Sequence, residues 1–168
     1  MEYLGNKALL ELPKWGFLAS RRVPSSEVMQ CYDWAAARAA AGDCVVSGFS
    51  SKMERDVLHF LLKGNCPVIV VLARSMYKEL PQRWQQAVED NRMLVISTSS
   101  APRQSRQTAQ ARNQYVAEIC DTVYLFGVTA TSTLYQIRQL YPEKCNKDMV
   151  TLQLPIEKIA DKRFFSHI

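Results

Sequence analysis

Short apolar runs recur along the chain at Gly16–Ala19, Cys44–Ser47, Val68–Ala73, Leu94–Ser97, Thr122–Phe126 and Met149–Leu152. They are rich in β-branched residues and most do not alternate with polar ones. Strands buried on both faces of a parallel sheet read this way. Between them, apolar positions fall at helical spacing over Ser25–Ala41, Met53–Lys63, Leu80–Asp90, Asn113–Cys120 and Ser132–Tyr141. Punctuation agrees: Pro24-Ser25-Ser26 offers caps before the first helix, and Gly42 and Gly64 stop the first two. Pro81 suits the first turn of the third. Strand alternating with helix implies right-handed crossovers with helices on both sheet faces. The expected fold is therefore α/β, a three-layer doubly wound domain with a mostly parallel sheet, and one domain over residues 1–168.

In such a sheet, ligands bind beyond the carboxyl ends of the strands. Three loops arrive there with suitable residues. Ala19 is followed by Ser20, Arg21 and Arg22, where small residues admit a ligand and two guanidiniums can grip phosphate. Ser47, Gly48, Phe49, Ser50, Ser51 and Lys52 open the second helix, and free N–H groups with hydroxyls and an ammonium would form an anion cradle. Thr131, Ser132 and Thr133 precede the last helix. Read structurally, the same Ser and Thr residues would only cap helices. The stretch Ser97–Ala111 reads as a long irregular loop, longer than the usual connection. Arg103 and Arg106 in it, with Arg112 and Asn113 just after, could track a phosphate backbone. Phe49, Tyr77 or Tyr115 could supply aromatic platforms for bases.

Composition narrows the chemistry. The formal charge is +5, from 21 Lys and Arg against 16 Asp and Glu, which is compatible with an anionic partner. Five scattered cysteines with no C-x-x-C spacing, and only His59 and His167, argue against a zinc cage or disulfide framework. No metal and no cofactor is expected, and the thiols read as buried and reduced. No apolar run reaches the roughly 18–20 residues of a membrane span, and the N-terminus lacks the order of a signal peptide; a cytoplasmic location is expected. Neither G-x-G-x-x-G nor G-x-x-x-x-G-K-[ST] occurs. Glu54 and Asp56 lie two apart on a helix and point different ways, and Asp121 reads as a turn residue. With no evident catalytic carrier, binding is favoured over catalysis, with two ligand classes open: single-stranded nucleic acid, or a small nucleotide or nucleotide-sugar that is bound or hydrolysed.

The loops are also where the chain resembles the DNA-processing protein A (DprA/Smf) family. Gly5-Asn6 followed by Leu9-Leu10 is similar to the family's G-N-x-x-L-L, and Phe17-Leu18-Ala19-Ser20-Arg21 to its V-G-S-R loop. Val45 to Ser50 resembles V-V-S-G-L-A, Arg112 to Asp121 resembles R-N-R-I-I-A-x-L-S-D, and Thr131 to Leu134 resembles S-G-S-L. The chain departs from the pattern at Ala19, Glu54, Gln114 and Gly127, which stand for glycine, aspartate, arginine and an acid. The resemblance implies a Rossmann-like core that binds single-stranded DNA, a role in DNA uptake and transformation, and a homodimer.

Overall fold

The valine- and isoleucine-rich runs pair as the centre of a six-stranded sheet in a computed structural model, which describes residues 1–145. In chain order the strands are β1 (Glu2–Gly5), β2 (Lys14–Ala19), β3 (Cys44–Ser47), β4 (Val68–Leu72), β5 (Met93–Ser97) and β6 (Thr122–Phe126). Across the sheet their order is β1-β5-β4-β3-β2-β6. Strands β2 to β6 run parallel, and β1 joins β5 antiparallel at one edge. The helices are α1 (Ser25–Ala41), α2 (Lys52–Lys63), α3 (Gln82–Glu89), α4 (Arg106–Ile119) and α5 (Thr133–Leu140), with a 3-10 turn at Lys7–Glu11. This is a doubly wound, Rossmann-like α/β domain, as the alternating pattern predicts.

Two apolar layers hold it together. Phe17, Val68 and Val70 point to the face covered by α1, α2 and α3, where Trp34, Val57, Leu61 and Ala87 meet them. Their neighbours Leu18, Ile69 and Val71 point to the opposite face, against Val116 of α4 and Ile137 of α5. Because successive strand residues face opposite ways, a strand covered on both sides is apolar at nearly every position. All five residues of β4 and of β5 are buried.

The observed elements depart from the expected ones in three places. Strand β1 leaves no apolar signature because all four of its residues are exposed and only β5 pairs with it. Helix α4 begins at Arg106, not Asn113, so the expected loop Ser97–Ala111 shrinks to residues 98–105. Its first turns are polar, and what starts it is a reciprocal cap in which Ser105 and Thr108 each bond the other's backbone N–H. Helix α1 has no side-chain cap; Pro24 flanks it and Ser25 and Ser26 lie inside its first turn. Gly42 ends α1 in the left-handed conformation, and Gly64 ends α2 in an extended one. The expected strand Met149–Leu152 lies outside the described residues. No described helix is long and apolar enough to cross a membrane.

Cys31, Cys44, Cys66 and Cys120 are buried in these layers. Burial pushes their thiols up, Cys31 and Cys44 to about 12, because the thiolate would lose its solvation. We predict that native protein resists iodoacetamide at these four positions at about pH 8, where an ordinary thiol reacts. Peptide mapping after brief alkylation checks this, with rapid labelling expected only in denaturant.

Candidate functional site

The loops leaving β4, β3, β2 and β6 stand side by side along the carboxyl edge of the sheet. Ser51 caps α2, its Oγ accepting from the Glu54 backbone N–H at 3.3 Å. Glu54 answers from the first turn: its Oε1 accepts from the N–H groups of Ser50 at 3.0 Å and Ser51 at 3.3 Å. Its Oε2 accepts from the Ala19 N–H at the end of β2, at 2.9 Å. The carboxylate is 4% exposed. Within the expected anion cradle at Ser47–Lys52, the N–H groups of Ser50 and Ser51 are thus occupied by the protein's own carboxylate. Ser47 and Phe49 are buried, with the Phe49 N–H donating to Ser47 Oγ at 3.1 Å. Lys52 is exposed and paired with Asp56 at 3.1 Å.

The first loop is closed in a similar manner. Ser20 donates from its N–H to the Phe126 carbonyl and from its Oγ to the Arg22 carbonyl, while Arg21 and Arg22 reach solvent. Gly127 follows β6 at φ +68°, where a side chain would be strained, and a Cβ there would stand 2.3 Å from Ser20 Oγ. Its N–H donates to Glu27 Oε2 at 3.1 Å, so the acid missing at this position is supplied from α1. In the third loop Ser132 caps α5 through the Leu134 N–H, and the hydroxyls of Thr129 and Thr131 meet at 3.3 Å. Thr133 opens that helix.

Open space lies elsewhere on this edge, beyond β3 and β4 and between α2 and α3. A cavity of about 570 Å³ there is lined by Gly48, Phe49, Ser50 and Arg112 from the expected set. Ser20, Arg21, Arg22, Lys52, Arg103, Arg106, Asn113 and Thr131 to Thr133 are not in its wall. The rest of the lining comes from the helices and from the loop after β4: Arg55 and His59, Arg74 and Tyr77, Arg83 and Trp84. Four of the lining side chains are arginines and none is acidic. The Arg83 guanidinium donates to His59 Nδ1 at 2.6 Å, joining α3 to α2 across the mouth. Arg55 caps the Ser50 carbonyl. Serine and backbone bonds from the end of β5 hold the loop after β4: Ser97 Oγ donates to the Arg74 carbonyl at 2.6 Å, and the Ser75 N–H to the Ala101 carbonyl at 2.8 Å.

Arg112 is the unusual member. It is 3% exposed, and it separates from Arg103 and Arg106, which stay on the surface, so the three do not form one track. Its Nε donates to Asn113 Oδ1 at 2.8 Å, Nη1 to the Val71 carbonyl at 3.4 Å and Nη2 to Ser50 Oγ at 3.3 Å. A guanidinium has five N–H donors, so one on each Nη is left over. Among the described residues the only ion pairs are Arg38 with Asp43 and Lys52 with Asp56; Arg112 has none. Burial pushes its guanidinium below the ordinary arginine range, and the charge of Glu54 only opposes that shift. Gly48 makes room for it: a Cβ there would lie 2.1 Å from Nη1.

The family model for DNA recombination-mediator protein A matches residues 1–153. The chain belongs to this family. Nothing among curated proteins matches it. Among solved structures it is similar to DNA processing protein A from Streptococcus pneumoniae, at 20% identity and a TM-score of 0.68 over 84% of this chain and 51% of that one. The Helicobacter pylori counterpart matches at 18% identity and a TM-score of 0.65, over 84% of this chain and 66% of that one. The chain thus spans between half and two thirds of those family members. A molybdenum cofactor binding protein from Rippkaea orientalis shares the fold at 16% identity and a TM-score of 0.55, over 83% of this chain and 79% of that one.

Sequence reading passed over Arg55, Arg74, Arg83 and Trp84, and weighed His59 only as a metal ligand or nucleophile partner. Only the loop after β4 was open to the rule that located the others, since it too leaves the carboxyl end of a parallel strand. The pairing of two loops through Glu54 yields a stability prediction. Glu54→Ala strands three backbone donors in a buried setting and should cost about 2–4 kcal/mol, read as a lower urea midpoint with an unchanged slope.

Proposed function

We propose that this chain binds single-stranded DNA, or another phosphate-bearing nucleic acid, on the carboxyl edge of its sheet without carrying out chemistry on it. The observation that carries this reading is Arg112, a buried guanidinium with N–H donors to spare and no carboxylate partner among the described residues. A buried charge with no direct ion pair is costly; the Glu54 carboxylate offsets that cost only in part, and a phosphate at the cavity would offset more of it through charge-assisted bonds. Arg55, Arg74 and Arg83 repeat the same preference at the wall, with no acid in the lining to repel the ligand. Membership of a DNA recombination-mediator family supports the ligand class, as does the single-stranded DNA binding of the similar Helicobacter pylori protein. Arg21 and Arg22, exposed after β2 on the strand next to β3, would extend the contact along the nucleic acid.

The volume of the cavity, about 570 Å³, falls in the range of small-ligand sites and favours a second reading, a free nucleotide in the same place. A thermal shift screen separates the two. A nucleotide present at 100 times its Kd should stabilise the fold by about 2.7 kcal/mol.

For the nucleic-acid reading the test is anisotropy titration of a labelled oligonucleotide at several salt concentrations. Affinity should fall with salt by a slope of about 0.7 per phosphate neutralised, and Arg83→Ala should remove about one such contact on every sequence. Gly48→Ala should weaken binding as well, since its methyl group displaces the Arg112 guanidinium. Binding that ignores salt, or is untouched by both substitutions, sinks the proposal.

A further inference from the structure

We propose that two copies of this chain associate through β1, strand to antiparallel strand, making one continuous sheet across a twofold axis at Leu4. The inference stands apart from the nucleic-acid reading and needs no ligand. Strand β1 forms one edge of the sheet and pairs with β5 alone, and all four of its residues are exposed. The opposite edge is not bare: the Val123 N–H of β6 donates to the Lys144 carbonyl at 2.9 Å. Edge strands are commonly blunted by proline or lysine, or covered by a neighbouring segment. Glu2-Tyr3-Leu4-Gly5 carries neither residue, and its centre is apolar, with Tyr3 38% and Leu4 40% exposed.

The bonds to β5 fix which groups of β1 face outward. The Asn6 N–H donates to the Met93 carbonyl at 3.0 Å, so the bonded positions alternate back through Leu4, opposite Val95, and Glu2, opposite Ser97. Each peptide unit is trans, with its N–H and carbonyl on opposite sides. The N–H and carbonyl groups of Tyr3 and Gly5 therefore point to the open side, where no described residue bonds them. A second strand satisfies such a row, and a second copy of β1 does so with matched side chains. When Tyr3 of each copy exchanges bonds with Gly5 of the other, Leu4 meets Leu4 on the axis as a close pair outside the hydrogen bonds. Each exposed leucine is then covered by its twin. Tyr3 falls beside a glycine, whose missing side chain leaves room for the ring. That position is held to glycine within one copy as well, by a φ of +111° and by the Met93 carbonyl that a Cβ would strike. The two Glu2 carboxylates go to opposite ends of the ladder, each facing the other copy's Asn6 with Lys7 next to it. The cavity beyond β3 and β4 lies away from this edge, so both copies keep it open.

The test is sedimentation equilibrium of the full chain over a range of concentrations. Wild type should pass from the monomer mass to the dimer mass as concentration rises, because the ladder is short and association follows mass action. Leu4→Lys and Leu4→Asp each set like charges face to face on the axis, and each should stay monomeric where wild type is dimeric. Mixed in equal amounts, the two variants should recover the dimer mass, since opposite charges then face each other; recovery also shows that both remain folded. Tyr3→Pro removes an outward N–H without touching the bonds to β5, and should likewise give a monomer. A wild type that stays monomeric at every concentration overturns the proposal. So does a dimer that survives in Leu4→Lys, which would be built on another surface. Failure of the mixed charge variants to associate overturns it too.

Discussion

The Glu54 carboxylate joins the start of α2 to the end of β2, two places 35 residues apart in sequence, by accepting N–H groups from both. Parallel strands end in orphan backbone donors where their loops turn away, and buried donors must find a partner. Here one buried carboxylate satisfies three of them and completes a helix cap as well. The loops after β2 and β3 are thereby joined without help from a ligand. The same device recurs one strand over, where Glu27 reaches from α1 to the Gly127 N–H. Every other feature of the edge is arranged around loops that these two acids have already closed.

Closing the loops changes how the protein can hold an anion. A helix N-terminus with free N–H groups attracts phosphate, but a carboxylate tethered within the same turn occupies those donors at an effective concentration that no free ligand matches. On the proposed reading, anion recognition then passes to side chains, and Arg112 would take up that role from inside the fold, seated over Gly48 and bonded to Asn113, Val71 and Ser50. Its position depends on the Glu54 cap indirectly, because Ser50 is held by both residues.

Much of this was legible beforehand, and the exceptions have physical causes. The five parallel strands could be read because burial on both faces leaves few polar positions, and none at all from Val68 to Leu72. β1 could not, because its residues are exposed and its place is set by pairing with β5 alone. The opening of α4 was hidden for a related reason: Arg106 to Ala111 present no buried residue, so nothing in their periodicity marks a helix. At the site, Gly48 and Arg112 were found by motif. What the motif could not convey was that Arg112 is buried while Arg106, on the same helix, is exposed. Periodicity gives the face of a helix, not which cation on it faces a gap in the packing. Glu54 was harder still. Its role is defined by an acceptor reaching a strand that is remote in sequence, and a lone glutamate in a first helical turn also reads as an ordinary partner of the helix dipole.

On the proposed reading, the arrangement also divides the work among the arginines. Arg112 cannot move without giving up three hydrogen bonds in a buried setting, so it offers a fixed point for one phosphate. Arg55 and Arg83 are exposed at the mouth, each held by a single hydrogen bond, to the Ser50 carbonyl and to His59, which a solvent-exposed side chain can exchange for a phosphate at little cost. A fixed anchor sets where the strand enters; exposed cations can re-aim toward whatever path the next phosphates take. Sequence-tolerant binding calls for that combination, since phosphate contacts position a strand without reading it. The modest net charge of +5 is then no obstacle, because what the ligand meets is not the average surface but a cavity wall from which every acid has been left out.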